Sequence, residues 1–386
     1  MTELRPSSGP RVVVFRADLL PVSETFIKDQ ILALSQWDAV LTGLRQVHGL
    51  DISRLRSKIL SGWAPHRLSR RVTAAFRELD LAPWGMTGQL SRLAGDIIHV
   101  HFGVDLVAIW PVLRRLGRPV VTTLHGWDVN IRKEHWHKRG YVDRQYPDRL
   151  LSIAAHPRVT FVAVSEALAR RAVQFGIPRE KIVVKHIGVD AARFTPTGVP
   201  VTERRQRILY VGRMFEKKGG PILIRAFAQV CAHVPGAELV MIGDGPLLHP
   251  CRQLAESLQL PVRFMGACPA ATVRQQLAEA RVFCLPSIVA QNGDAEGLPI
   301  SLLEAQACGV PVVTSASGNA EAVMDGVTGF CFPEQDIDAL SARLTRLLCD
   351  DELALSMSAA GPKFIAERFD IRRCTRALED LYQSLL

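Results

Sequence analysis

Two carboxylates eight positions apart, Glu296 and Glu304, stand in the run Asp294-Ala-Glu296-Gly-Leu-Pro-Ile-Ser-Leu-Leu-Glu304-Ala-Gln-Ala-Cys-Gly-Val-Pro-Val-Val-Thr314. Glu296 falls in a Gly/Pro loop just after a strand that ends at Leu285-Pro286, and Glu304 about one turn into a helix that begins near Pro299. A carboxylate among Leu302, Leu303, Ala305 and Ala307, on a helix destined for burial, must be hydrogen-bonded, and polyhydroxy ligands such as sugars are good partners. Taken singly, a surface place for Glu304 and an ordinary loop place for Glu296 explain each as well. Gly243-Asp-Gly245 also follows a strand, but Leu248 stands where a dinucleotide fingerprint needs its third glycine, which disfavours an NAD enzyme. The eight cysteines form no CxxC or Cys/His cluster, so the spacing of a zinc site is missing and no metal is expected.

These groups need elements to hold them. Short β-branched runs alternate with helical patterns along the whole chain. Arg11–Phe15, Asp96–Val100, Pro119–Leu124, Val159–Val164 and Lys181–Lys185 read as strands in the first half. Arg207–Val211, Glu238–Ile242, Val262–Met265, Val282–Leu285 and Val310–Thr314 do so in the second, with helical segments such as Pro221–His233 and Ala270–Ala280 between them. Near-continuous apolar strands separated by helices imply parallel sheets covered on both faces. The fold class is therefore α/β: two Rossmann-like, doubly wound domains, with ligands expected beyond the carboxyl ends of the strands and a central cleft between the domains. Residues 338–386 read as mostly helix, the last segment, 370–386, being placed to pack back on the first domain.

Composition divides at the same place. At 386 residues, 48% hydrophobic and 22% charged, the chain is too ordered in composition for a disordered or low-complexity protein and too long for one compact core. All six tryptophans precede residue 140 and all eight cysteines follow residue 230. Residues 1–200 carry 29 Lys+Arg against 17 Asp+Glu, a net +12, and residues 201–386 carry 18 against 21, a net −3. The stretch Thr195–Glu203, rich in Pro, Gly and Thr, reads as the linker between domains 1–200 and 201–386. No apolar run nears the ~18 residues of a transmembrane helix, and Met1–Pro10 has no signal-like apolar core, so a cytoplasmic protein is expected. Within 50–94 a helical insertion is expected, where Arg67, Arg70 and Arg71, with other basic residues, alternate with apolar ones. That pattern suits an anionic membrane surface, and a solvated helix face on a basic domain predicts it equally.

The paired glutamates followed by Ala-x-Ala-x-Gly-Val-Pro-Val-Val resemble the signature of retaining, nucleotide-sugar-dependent glycosyltransferases of the GT-B architecture, specifically glycosyltransferase family 4. Further segments resemble the family in matching order over roughly residues 95–370. They are Leu124-His125-Gly126-Trp-Asp128, Phe161–Ser165, His186–Asp190 with Phe194, Val211-Gly-Arg213 through Lys218-Gly219, Val240–Pro246 and Arg263–Gly266. In place of a Gly-Gly loop after the first strand stands Leu20-Pro-Val-Ser23-Glu24-Thr25-Phe26, which reads as a helix N-terminus with early negative charge. That segment and His101-Phe102-Gly103 resemble bacterial exopolysaccharide and colanic-acid-type transferases.

The resemblance implies roles position by position. Arg213 and Lys218, bracketed by Gly212 and Gly219, would bind the donor diphosphate and stabilise it as a leaving group without a metal ion. Glu304 would hold the ribose hydroxyls, and Glu296 hydroxyls of the donor sugar near the reacting carbon. The backbone of Gly297-Leu298 would reach sugar and phosphate, and Gly266 would line the donor site. His125 would line the reaction centre from the first domain. Ser23, Glu24, Arg67, Arg70 and Arg71 would face the acceptor or membrane. The implied partners are a donor such as GDP-mannose or a UDP-hexose, a polyprenyl-diphosphate-linked glycan acceptor and an anionic membrane on its inner, cytoplasmic face, with no cofactor and no nucleic acid. A GT-B enzyme with a soluble acceptor, of the epimerase or disaccharide-synthase type, and a nucleic-acid-binding protein are the other readings.

Overall fold

The computed structural model describes residues 9–60, 82, 85–137, 144–317 and 321–386. Two compact units account for the chain: residues 1–187 with 371–386, and residues 188–370.

Unit 1 is built on a seven-stranded parallel sheet of β1 (Arg11–Phe15), β3 (Asp38–Gly43), β5 (Ser57–Ile59), β6 (Ile97–His101), β7 (Val120–Leu124), β8 (Val159–Ala163) and β9 (Ile182–Val184). The two-residue strands β2 (Asp18–Leu19) and β4 (Arg45–Gln46) pair separately. Strand order in the large sheet is β5-β3-β1-β6-β7-β8-β9. The chain therefore winds outward from β1 in one direction and from β6 in the other. Right-handed crossovers then put connections on opposite faces, and the strand order reverses between β1 and β6. Strands β1, β6 and β7 are almost wholly buried, as their unbroken apolar and threonine-rich runs require.

Unit 2 repeats the plan with six strands: β10 (Arg207–Val211), β11 (Glu238–Ile242), β12 (Val262–Gly266), β13 (Val282–Leu285), β14 (Val312–Ser315) and β15 (Gly329–Phe332). Their order, β12-β11-β10-β13-β14-β15, reverses between β10 and β13. Helices Gly220–His233, Leu248–Ser257, Ala270–Glu279 and Ile300–Ala307 fill the crossovers, and Ile337–Cys349 and Asp351–Arg368 close the unit.

Two expectations, the linker at 195–203 and the helical insertion at 50–94, need correction, whereas the last helix packs on the first unit as its placement suggested. The Pro/Gly-rich stretch 195–203 lies inside unit 2, because Val201 is buried there and Arg204 donates to the carbonyls of Val199 and Ala280. The last helix, Ile371–Ser384, belongs to unit 1. Its Glu379 is buried and accepts from the backbone N–H groups of Ser35 and Gln36 at 2.7 and 2.6 Å, and its Tyr382 packs edge-on against Trp37. The segment 50–94 is not helical throughout: Ser57–Ile59 pairs with β3 as an edge strand, and a short helix spans Met86–Ser91. Arg67, Arg70 and Arg71 lie outside the described residues.

Candidate active site

In an open parallel sheet the crevice for a ligand opens where the strand order reverses. In unit 2 that is the carboxyl ends of β10 and β13, and the candidate residues fall on the two loops that leave those strands. The first loop runs from Gly212 to Gly219 and the second from Pro286 to Pro299.

Four contacts stitch these loops together. Ile288 N–H donates to the Lys217 carbonyl at 2.8 Å and Gln291 N–H to Glu216 Oε1 at 3.0 Å. Lys217 Nζ lies 3.0 Å from Asp294 Oδ1, and Lys218 Nζ lies 3.0 Å from Glu296 Oε1. Gly219 makes this approach possible: its φ is +68°, and a β-carbon there would lie 1.9 Å from the Pro286 carbonyl oxygen. The loop after β11 is held as closely, with Met214 N–H on the Asp244 carbonyl and no room for a β-carbon on Gly243, 1.9 Å from the Gly212 carbonyl oxygen. The glycines of Gly243-Asp-Gly245 thus serve loop packing.

The Lys218–Glu296 pair is the electrostatic centre. Both side chains are nearly buried, and burial alone would raise the Glu296 carboxyl. Lys218, then Lys217 and Arg213, outweigh that effect and hold Glu296 below the ordinary carboxylate range, so it is ionised at neutral pH. Burial lowers the Lys218 ammonium, with Glu296 opposing the shift. Although the ion pair is close, Glu296 Oε1 is buried without a well-aligned hydrogen bond among the described residues. A sugar hydroxyl is a further donor from which that carboxylate can accept. Arg213 is exposed, with its guanidinium 4.8 Å from the centre of the Phe215 ring. Glu304 sits half-buried, one turn into helix Ile300–Ala307, as its spacing predicts. Gly297 and Leu298 are buried beside Glu296, and Gly266 ends β12 with φ +67° in open space.

Unit 1 carries its polar groups at the corresponding edge. His101 closes β6 and His125 follows β7. His101 Nδ1 and His125 Nε2 are 3.0 Å apart, and His99 bridges the Tyr382 hydroxyl (2.6 Å) and Thr123 Oγ1 (2.7 Å). Burial pushes His99 and His125 down to about 3, and His101 well below its usual value, so all three rings are neutral. Fully buried Asp128 accepts from the N–H groups of His125 (2.8 Å) and Gly103 (2.6 Å), which fixes the backbone under the imidazole. Burial raises its carboxyl to about 6. Gly126, at φ +123°, occupies a conformation open only to glycine.

Glu24 does not cap its helix. No side-chain cap bond forms at Thr25–Ala33; the carboxylate turns inward to Arg16, which also grips Asp105 at 2.7 Å. Ser23 is exposed. Beside this network a cavity of about 180 Å³ is lined by Arg16, Asp18, Arg45, Asp105, Tyr146 and Arg149.

A family model described as Glycosyltransferase Family 4 matches residues 48–193, and one described as Glycosyl transferases group 1 matches residues 197–364. A putative colanic acid biosynthesis glycosyltransferase of Escherichia coli (strain K12) is 33% identical over 325 residues, covering 82% of this chain and 77% of its own. The chain belongs to glycosyltransferase family 4. It is an enzyme of glycosyl transfer, of the exopolysaccharide type. A GDP-mannose-dependent α-(1-6)-phosphatidylinositol monomannoside mannosyltransferase of Mycolicibacterium smegmatis is 33% identical over 77% of this chain and 79% of its own. Among solved structures, Anabaena HepE in complex with UDP and glucose superposes with a TM-score of 0.78 over 97% of this chain and 99% of its own, at 19% identity. The fold is therefore GT-B.

Against the family pattern, the sequence led to Arg213, Lys218, Glu296 and Glu304 but passed over Lys217, whose ammonium anchors Asp294 and with it the glutamate loop. Two adjacent lysines look alike in sequence; only the turn at Glu216–Lys218 sends them to different carboxylates. His99 and His101 did carry a signal, because residues two apart on a strand share a face.

Proposed function

We propose that this glycosyltransferase moves a hexose, with retention of configuration and without a metal ion, from a nucleotide-sugar donor to a lipid-linked glycan on the cytoplasmic face of the membrane. The observation that carries the reading is the ionised Glu296 beside Lys218 and Arg213 at the switch point of unit 2.

The chemistry follows from charge. When the bond from the anomeric carbon to the diphosphate breaks, negative charge grows on the phosphate oxygens and positive charge on the sugar ring. Arg213 and Lys218 balance the first, and fixed cations do so without reorganisation at the moment of reaction. Glu296, held ionised, accepts from sugar hydroxyls and stabilises the oxocarbenium-like ring. Glu304 binds the ribose hydroxyls, and Gly266, Gly297 and Leu298 line the donor with backbone. No second carboxylate is assigned as a covalent nucleophile. The acceptor therefore attacks from the front face, and the departing phosphate oxygen takes its proton. His125, neutral, supplies a hydrogen bond at the reaction centre rather than a charge.

The donor is GDP-mannose or a UDP-hexose. One relative is named as GDP-mannose-dependent, and one solved neighbour holds UDP and glucose. The net +12 of residues 1–200 supports an anionic acceptor such as a polyprenyl-diphosphate-linked glycan at an anionic membrane surface, with Ser23, Arg67, Arg70 and Arg71 on that side. Among the described residues no helix is long and apolar enough to cross a membrane, so attachment would be peripheral. An enzyme acting on a soluble acceptor is the alternative, and it would show no affinity for anionic vesicles. Proton NMR of the product tests the mechanism: an α-linkage from an α-donor is expected, and a β-linkage refutes retention.

A further inference from the structure

We infer that His101 is a positioning residue that fixes the tautomer of His125, so that His125 presents an Nδ1–H donor to an oxygen of its ligand. The inference deepens the reading above, resting on His125 lining the reaction centre, and it concerns only side chains of unit 1.

The tautomers follow from a proton count along β6 and β7. Each neutral imidazole carries one N–H and one bare nitrogen. His99 has both nitrogens engaged, with Tyr382 and with Thr123, and its ring lies tilted against that of His101, centres 4.4 Å apart. His101 is left with one hydrogen-bond partner among the described residues, Nε2 of His125 at 3.0 Å. Its own Nε2 is buried and has none. If the His101 proton sat on Nε2, a buried N–H would be orphaned, and orphaned donors are the rarer defect. With the proton on Nδ1, His101 donates to His125 Nε2 and only a lone pair goes unsatisfied. His125 must then carry its proton on Nδ1.

The surroundings hold that arrangement in place. Phe26 and Phe102 flank the His125 ring at 4.9 and 4.5 Å, and Asp128 fixes its backbone N–H. Phe102 itself is held at φ +71°, a conformation a bulky residue rarely adopts, and its ring also lies under the Arg16 guanidinium at 4.7 Å. With Nε2 taken, Nδ1 is the nitrogen that the partly exposed His125 ring can offer. A fixed donor there suits a sugar hydroxyl or phosphoryl oxygen and cannot act as a general base. This agrees with proton transfer to the departing phosphate.

Long-range proton–nitrogen correlation spectra of the full chain labelled in histidine, at neutral pH, read the tautomers directly, with His101→Asn and His125→Asn used for assignment. Protonated Nδ1 and bare Nε2 on His125 are expected; the opposite pattern overturns the inference. Kinetics give an independent readout. His101→Leu removes the donor, whereas the amide of His101→Asn places an N–H where Nδ1–H stands. His101→Leu should lower kcat about tenfold with KM little changed, the loss of one aligned hydrogen bond, and His101→Asn should recover most of it. An unchanged kcat in His101→Leu, or no recovery in His101→Asn, overturns the inference. The spectrum decides the tautomer whatever His125 does for turnover. A His125→Ala chain with wild-type turnover, alongside the expected spectrum, overturns the functional reading alone.

Discussion

Burial disfavours charge at both switch points, and close counter-charges decide the outcome. In unit 1 it removes charge: His99, His101 and His125 sit ring beside ring and stay neutral far below their usual range. In unit 2 Lys218, Lys217 and Arg213 outweigh burial and keep Glu296 ionised, and Lys217 also pairs with Asp294 at 3.0 Å. The histidine cluster of unit 1 is therefore neutral, beside the Arg16–Glu24–Asp105 ion pairs, while Glu296 of unit 2 stays ionised. Bulk charge does not follow this pattern, at +12 in residues 1–200 and −3 in the remainder. A half's net charge informs about the surfaces it meets, not about its site.

The largest test of this contrast is removal of one matched charge. Lys218→Ala leaves Glu296 with its nearest counter-charge gone and the diphosphate with one cation fewer. Turnover should fall by about 10²–10³-fold, the cost of removing one preorganised electrostatic contact. A fall of less than tenfold, measured by release of nucleoside diphosphate, would place the ionic centre outside the reaction.

Acid should bear on the histidines of unit 1. A histidine whose pKa is lower in the folded than in the unfolded chain binds fewer protons when folded, so its contribution to stability is lost as pH falls from about 6.5 towards 3. Each such histidine contributes a slope of about 1.4 kcal/mol per pH unit in that window. Asp128, raised to about 6, has the opposite sign: its preference for the protonated folded state is lost as pH rises through about 6, offsetting one histidine between about pH 4 and 6. Burial also raises the Asp105 and Glu24 carboxyls, which act in the same sense as Asp128, so the net slope is smaller than the histidines alone would give. All six tryptophans precede residue 140, so urea titrations followed by tryptophan fluorescence report on unit 1. The slope should be shallower by about one proton in His101→Leu, and an unchanged slope in that variant would mean that the ring is not held neutral by folding.

A finer contrast lies within unit 2. Glu304→Ala should weaken nucleotide binding by about tenfold, the loss of one hydrogen-bonding carboxylate, and leave kcat nearly intact. Glu296→Ala should do the reverse. Equal loss of both parameters in both variants would erase the distinction between ribose and sugar carboxylates.

Most strands were legible because parallel strands buried on both faces leave near-continuous apolar runs, as Arg11–Phe15 and Glu238–Ile242 do. In the two large sheets those that escaped are β3, β5 and β15, whose sequences Asp-Ala-Val-Leu-Thr-Gly, Ser-Lys-Ile and Gly-Phe-Cys-Phe are short, polar or glycine-containing. Pairing with neighbours, not local preference, makes them strands. At the site, Glu296 and Glu304 were legible from loop and helix signals. The Lys217–Asp294 anchor was not, because it depends on a single turn of 3₁₀ helix. Nor was the inward turn of Glu24, a contact to Arg16 across the loop that leaves β1. The unit boundary at 187/188 was hidden for a related reason: a Pro/Gly-rich stretch resembles a linker until Val201 and Arg204 pack it down.

In the proposed reaction a nucleoside diphosphate sugar binds unit 2 through Arg213 and Lys218 beside Glu296. Isothermal titration of the full chain with GDP and with UDP reads that binding. Saturable binding of one of them, weakened at least about tenfold by Arg213→Ala through loss of a charge-assisted contact, is the predicted result. Absence of binding by either nucleotide, or identical affinity with and without the Arg213 guanidinium, would contradict it.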